Sequence, residues 1–169
     1  MSGWRQVRAI ALLPGNVTVV VPALILVFGG GPDLGWSLGG AAAGLIGLLG
    51  VALIGAGFAI WLWTARLFSR VGKGTLAPWD PTSKLVVEGP YRHMRNPMIT
   101  AVATFLVGEA ILFGSPAILA WAGLFVMVNF AWFLFGEEPG LERRFGGEYR
   151  AYKRSVQRWI PRRSPRRPG

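Results

Sequence analysis

The chain has no cysteine and one histidine, His93. That excludes disulfides, thiolate metal centres and cysteine nucleophiles, and it leaves too few ligands for a histidine-built metal site; no metal is expected. Charge is scarce too. Charged residues make up 15% of the 169 residues and hydrophobic ones 52%, whereas soluble domains average about 25% charged. Acid is the scarcer sign, with eight Asp and Glu against eighteen Lys and Arg and a net charge of +10. In so apolar a chain this excess is explained by anionic lipid headgroups and the positive-inside rule, and nucleic acid is not an expected partner. The composition points to an integral membrane protein, and the length to a single domain.

What the chain does have is apolar length. An uncharged run from Ala9 to Pro32 carries Pro14 and Pro22, which are expected to kink it. A second uncharged run from Leu34 to Ala65 is rich in glycine (Gly44, Gly47, Gly50, Gly55 and Gly57 among others), the composition of close membrane-helix packing. A third stretch, Met98 to Gly136, is too long for one span, and Gly114-Ser115-Pro116 divides it into a tight helical hairpin. The expected fold is all-α and membrane-integral. Its four transmembrane helices cover about 9–32, 35–65, 98–113 and 116–136, the last two forming the hairpin.

Topology follows from the basic residues. Arg5 and Arg8 precede the first run, six more lie within 66–97 and ten follow Gly136, while the other two connections have none. Four spans put all three basic segments on one face, which the positive-inside rule makes cytoplasmic; three spans would strand six or ten of them outside. The N-terminal run lacks a clean small-x-small cleavage site and is expected to be an uncleaved first helix. Beyond the last span, Leu141, Phe145, Tyr149, Tyr152, Val156 and Trp159 form one apolar-aromatic stripe, with arginines on the other faces. This predicts a C-terminal amphipathic cytoplasmic helix over 141–160, weakened at Gly146-Gly147. Residues 162–169 read as a basic disordered tail held near anionic membrane lipids.

The polar chemistry gathers on that same face. Six of the eight acids are there, as is His93, and two clusters stand out: Gly89 to Pro97 before the third span, and Glu137-Glu138 after the fourth. A hairpin of spans three and four makes their ends neighbours, so the two carboxylates are expected near Arg92, His93 and Arg95. Glu109, inside the third span, is a candidate for substrate contact because an intramembrane acid is by default functional. Asn129, in the fourth, is expected to pack against a neighbouring helix.

These motifs resemble a known superfamily. Gly72-Lys73-Gly74, Gly89-Pro90-Tyr91-Arg92-His93-Met94-Arg95-Asn96-Pro97 and Glu137-Glu138-Pro139 are similar to the isoprenylcysteine carboxyl methyltransferases and phospholipid methyltransferases. So is the following Leu141, Phe145-Gly146, Glu148-Tyr149, Tyr152, Val156 and Trp159-Ile160-Pro161, and the likeness spans roughly residues 66–161. The resemblance implies a single methyltransferase domain over residues 1–161, with S-adenosyl-L-methionine bound through motifs at 72–98 and 137–161. It implies a cofactor pocket lined by Gly89, the Tyr91-to-Pro97 segment (Tyr91, Arg92, His93, Arg95, Asn96, Pro97), Glu137 and Glu138, with Gly72 and Gly74 contributing. It also implies an entrance from the bilayer for a lipophilic small molecule or lipid. Asn96 departs from the pattern, since many members carry His there, as do Ile99 (often Tyr) and Leu76 (often Pro).

The chemistry suits those residues. Arg92 or Arg95 would pair the cofactor carboxylate in a fork, and Glu137 or Glu138 would hold its ammonium or ribose. Methyl transfer is an in-line displacement, so positioning is the main demand. A carboxylate acceptor needs no base; an amine needs a proton removed, for which His93 or a glutamate serves. The expected catalytic set is therefore His93, Glu138 and Arg95, with Tyr149 and Tyr152 towards the substrate. The alternatives are a non-enzymatic four-helix transporter or scaffold and a sterol-reductase-like NADPH enzyme of related fold. The former expects midplane polar residues that this chain nearly lacks. Small size and Ala-, Gly- and Arg-rich composition point to a prokaryotic inner or cell membrane, and so to a lipid or small lipophilic acceptor over a prenylated protein.

Overall fold

The structure, a computed structural model, describes residues 11–34, 36–72, 84–159 and 161–162. Every regular element among them is helical. A π-helical segment, Ala11–Val20, leads into helix α1, Val21–Phe28. Pro14 lies within the first and lacks a backbone donor, and Pro22 opens the second, removing a donor where the winding changes. Helix α2, Gly40–Leu67, runs on into π-helical Phe68–Gly72. A 3-10 turn, Gly89–Arg92, precedes α3, Pro97–Leu112, and then α4, Pro116–Trp132. Through π-helical Phe133–Glu137 the last of these joins α5, Glu138–Ser155.

Proline or serine starts both arms of the hairpin. Pro97 and Pro116 take first-turn positions, where no intrahelical donor is needed. The Ser115 hydroxyl accepts from the Ile118 amide at 3.3 Å, and Gly114 turns the chain at φ +58°, a left-handed conformation that glycine adopts without strain. Asp33 fixes the neighbouring loop. Its amide donates to the Phe113 carbonyl at 2.9 Å, while its carboxylate accepts from the Ser37 amide at 2.8 Å and hydroxyl at 2.7 Å. Trp36 Nε1 adds a bond to the Ile111 carbonyl at 3.0 Å. This capped loop is why α2 begins at Gly40 and not at residue 35.

The tightest packing joins α2 to α3, which run antiparallel. A β-carbon on Gly50 would stand 2.9 Å from the Leu112 amide nitrogen, and one on Gly57 would stand 2.7 Å from the Ala101 carbonyl oxygen. Backbone meets backbone there, as small residues allow in apolar surroundings. A core of Val102, Leu106 and Ala122, backed by Val17, Trp61 and Phe125, ties α4 and the N-terminal segment to this pair.

The C-terminal part differs from the expected separate helix over 141–160. Helical winding is continuous from Pro116 to Ser155, with one break at Gly146 (φ +51°, ψ −121°). It ends at Ser155, and Val156 is extended (φ −128°, ψ 129°). The reason is a competing set of backbone partners: the Arg95 amide donates to the Gln157 carbonyl (2.9 Å), Asn96 to Arg158 (3.2 Å) and Arg162 to His93 (3.0 Å). The chain after Ser155 folds back along residues 93–96.

Two helices, Gly40–Leu67 and Pro116–Ser155, are long and apolar enough to cross a membrane, and Gly15–Phe28 and Pro97–Leu112 are shorter apolar helices. In the longest, the apolar part ends at Gly136, and from Glu137 onward the helix is charged.

Candidate functional site

A cavity of about 760 Å³ lies where α3, α4 and the end of α2 meet α5 and the loop before α3. One end is apolar, walled by Trp61, Val102, Trp121 and Phe125; the other presents Arg95, Glu137, Arg144, Tyr91, Tyr149 and Tyr152. Volume and mixed lining are those of a small-molecule site.

The loop is held down at both ends. Gly89 sits at φ +55°, and a β-carbon there would meet the Leu67 and Trp63 side chains of α2 at 2.9 and 3.2 Å. The turn it opens buries Tyr91, whose ring lies 5.8 Å from Phe68. From the other side the Tyr152 hydroxyl donates to the Tyr91 carbonyl at 2.7 Å. Tyr149, Tyr152 and Val156 form a buried cluster with Leu85, Val87, Leu141 and Phe145, seating α5 on the loop.

The two adjacent glutamates have different environments. Glu138 is 2% exposed. Its Oε1 accepts from Arg95 Nη1 at 2.6 Å and Arg158 Nε at 3.0 Å, and its Oε2 from Arg158 Nη2 at 3.0 Å; Lys153 Nζ stands 3.2 Å from Oε2. Burial alone would raise its pKa, but the hydrogen bonds from Arg158 and Lys153 and the Arg95 charge hold it below the ordinary value. Glu137 lines the cavity. The surrounding protein, and then the charge on Glu138, push its carboxyl above the ordinary range. Burial likewise raises Tyr91, helped by Tyr152 and Glu137. It raises Tyr149 too, reinforced by Glu138 and opposed by Arg95.

Trp61 Nε1, Arg95 Nε, Asn96 Nδ2 and Tyr149 Oη are buried without a hydrogen bond, and all four residues line the cavity. Buried polar atoms are nearly always paired, so four orphans around one space suit a polar ligand.

Of the residues singled out from sequence, Tyr91, Arg95, Asn96, Glu137, Tyr149 and Tyr152 meet at the cavity. Glu138 stands behind Arg95 as the hub of the ion network. His93 is turned to the folded-back chain, its Nδ1 2.8 Å from the Arg162 carbonyl oxygen. Pro97 starts α3, Gly89 and Arg92 bound the 3-10 turn, and none of these four is on the cavity wall. Glu109, buried in α3 with Oε2 unbonded, is also off that wall. Gly72 closes the π-helical end of α2, and Gly74 lies outside the described residues. Asn129 lines the cavity and donates within its own helix to the Phe125 carbonyl at 2.8 Å. Sequence reasoning passed over Trp61, Arg144 and Arg158. Trp61 looks like any membrane-helix tryptophan, and Arg158 is one of many arginines, twenty residues from the acid it clamps.

Residues 45–148 match the phospholipid methyltransferase family. The chain belongs to that family. The likeness places it among the methyltransferases of membrane lipids and is consistent with the wider superfamily resemblance of its motifs. An uncharacterized protein of Haemophilus influenzae is 46% identical over 44 residues, which is 25% of this chain and 70% of that protein. No solved structure matches the chain.

Proposed function

We propose that this chain is a four-span integral membrane methyltransferase that transfers a methyl group from S-adenosyl-L-methionine to a lipophilic acceptor, a lipid amine or carboxylate, at the cytoplasmic face. One observation carries the reading: a single cavity joins a charged, aromatic end with unsatisfied donors to an apolar end beside the membrane helices. Among its neighbours, α1 and α3 are short for a span. α1 gains length from the π-helical segment before it, and α3 is followed at once by the turn into α4.

The residues fit the cofactor. Arg95, with a free buried Nε, suits a carboxylate; Tyr91 and Tyr149, aromatic residues of the cavity wall, suit a sulfonium or an adenine; Glu137 suits a ribose hydroxyl or an ammonium. Bound there, S-adenosylmethionine supplies an electrophilic methyl on sulfur. The chain holds donor and acceptor in line, a task worth several kcal/mol of barrier, and the apolar walls exclude water from the reacting end. For an amine acceptor Glu137, its pKa raised by its surroundings, takes the released proton. Anionic lipids stay near through the basic residues of α5.

The test is calorimetric titration of the detergent-solubilised chain with S-adenosylhomocysteine and with NADPH, followed by incubation of membranes with methyl-labelled cofactor and mass analysis of the lipids. Binding of the first alone and a labelled lipid are expected. Binding of NADPH alone would replace the reading with the reductase, and binding of neither with a scaffold. Reporter fusions should place residue 114 outside and the C-terminus inside.

A further inference from the structure

Arg158 does not line the cavity, yet it grips the acid that grips Arg95. Its guanidinium spans both oxygens of Glu138 in a fork, at 3.0 Å each. The fork is itself fixed: the guanidinium carbon lies 5.6 Å from the Phe130 ring centre and 6.0 Å from that of Phe133. Trp159 stacks on Phe130 at 6.3 Å. The Arg158 carbonyl meanwhile accepts from the Asn96 amide, so one residue holds the α3 approach by its backbone and the ion network by its side chain.

This arrangement has an electrostatic consequence for Arg95. A buried carboxylate with one cationic partner neutralises it. Glu138 instead divides one negative charge among Arg95, Arg158 and Lys153. Arg95 thus remains a net cation whose Nε, buried and unbonded, is free for an anionic group at the charged end of the cavity. Without Arg158, Glu138 keeps Arg95 and a half-exposed Lys153, and Arg95 becomes the main counter-ion.

We infer that Arg158 is a positioning residue for cofactor binding: acting through Glu138, it keeps the Arg95 guanidinium aimed and uncompensated for the carboxylate of the cofactor's amino-acid moiety. The inference rests on the proposed use of S-adenosylmethionine and deepens it by naming what recognises one end of that molecule.

Two ligands separate the role from simple support of the fold. S-adenosylhomocysteine carries the amino-acid carboxylate; 5′-methylthioadenosine has the same nucleoside and sulfur without it. With the full chain in detergent, Arg158→Gln should weaken S-adenosylhomocysteine about tenfold, the scale of one charge-assisted contact, and leave methylthioadenosine within twofold. Arg95→Gln should do the same, and Arg95→Gln with Arg158→Gln should lose no more than Arg95→Gln alone, because the two act on one contact. Arg158→Lys, which keeps charge but not the fork, should fall between wild type and Arg158→Gln, and it serves where Arg158→Gln does not fold. Equal weakening of both ligands, additive losses, or unchanged binding of the homocysteine compound would overturn the inference and leave the methyltransferase reading standing. Failure of the wild-type chain to bind either ligand would remove that reading, and the inference with it.

Discussion

Gly108 of α3 lies so close to α2 that a β-carbon on it would stand 2.9 Å from the Gly50 carbonyl oxygen and 2.7 Å from the Ile54 amide nitrogen. Both contacts are backbone, which cannot swing aside as a side chain would. Gly108→Val should therefore lower stability by about 1–3 kcal/mol, the usual cost of overpacking, seen as a lower melting temperature in detergent. Gly123, with nothing within 4 Å, should accept alanine with no loss.

Glu138→Ala should be among the most damaging single changes. It leaves Arg95 nearly buried beside Arg158 with no acid between them, and breaking a buried pair from one side costs about 3–5 kcal/mol. The pH dependence has a definite sign. The folded carboxyl is held below its ordinary value, so its contribution is complete above the unfolded pKa of about 4.3 and is lost as pH falls through the folded one. Melting temperatures from pH 7 downward should drop in the wild type below about pH 4 and drop less in Glu138→Gln.

Glu137 should behave in the opposite way. Its folded pKa is raised, so the ionised form is disfavoured by folding at neutral pH, and that penalty disappears as pH falls through the folded value. The side chain is exposed at the cavity mouth, where solvent screens that penalty, so Glu137→Gln should leave the melting temperature at pH 7 nearly unchanged while weakening S-adenosylhomocysteine binding or methyl transfer. Loss of both stability and binding would count against the assignment of Glu137 to the cavity.

Tyr152→Phe removes the donor for the buried Tyr91 carbonyl. The unmet acceptor should cost about 1–3 kcal/mol. Faster hydrogen exchange across the turn at Gly89–Arg92, measured by mass spectrometry, should accompany the lower stability.

Much of this architecture was legible in the sequence. Proline and glycine mark their own positions, so the turn at Gly114-Ser115-Pro116 and the break at Gly146 could be placed from residue type alone. Glycines of α2 announced close packing, but which of them pack was hidden. Gly50 and Gly57 meet α3, while Gly44, Gly47 and Gly55 have nothing within 4 Å, and only the partner helix decides that. The clustering of Tyr91, Arg95, Asn96 and Glu137 followed from the hairpin bringing two segment ends together. The division of labour within Glu137-Glu138 did not, because neighbours on a helix point about 100° apart and periodicity cannot say which one meets the arginines. Least legible was the return of Gln157, Arg158 and Arg162 onto 93–96: its bonds are made by backbone atoms, which every residue carries, and the amphipathic helix ends at Ser155, four residues short of the end of its stripe at Trp159.

The unbroken winding from Pro116 towards α5 has a mechanical meaning. Glu137 stands at the far end of a lever hinged at the Gly114 turn, about 33 Å long at 1.5 Å per residue. Tilting that lever by 5° carries its end about 3 Å, the length of a hydrogen bond. A change in bilayer thickness that alters the tilt of this helix would therefore move the carboxylate in the cavity, and turnover in vesicles of graded acyl-chain length would register it.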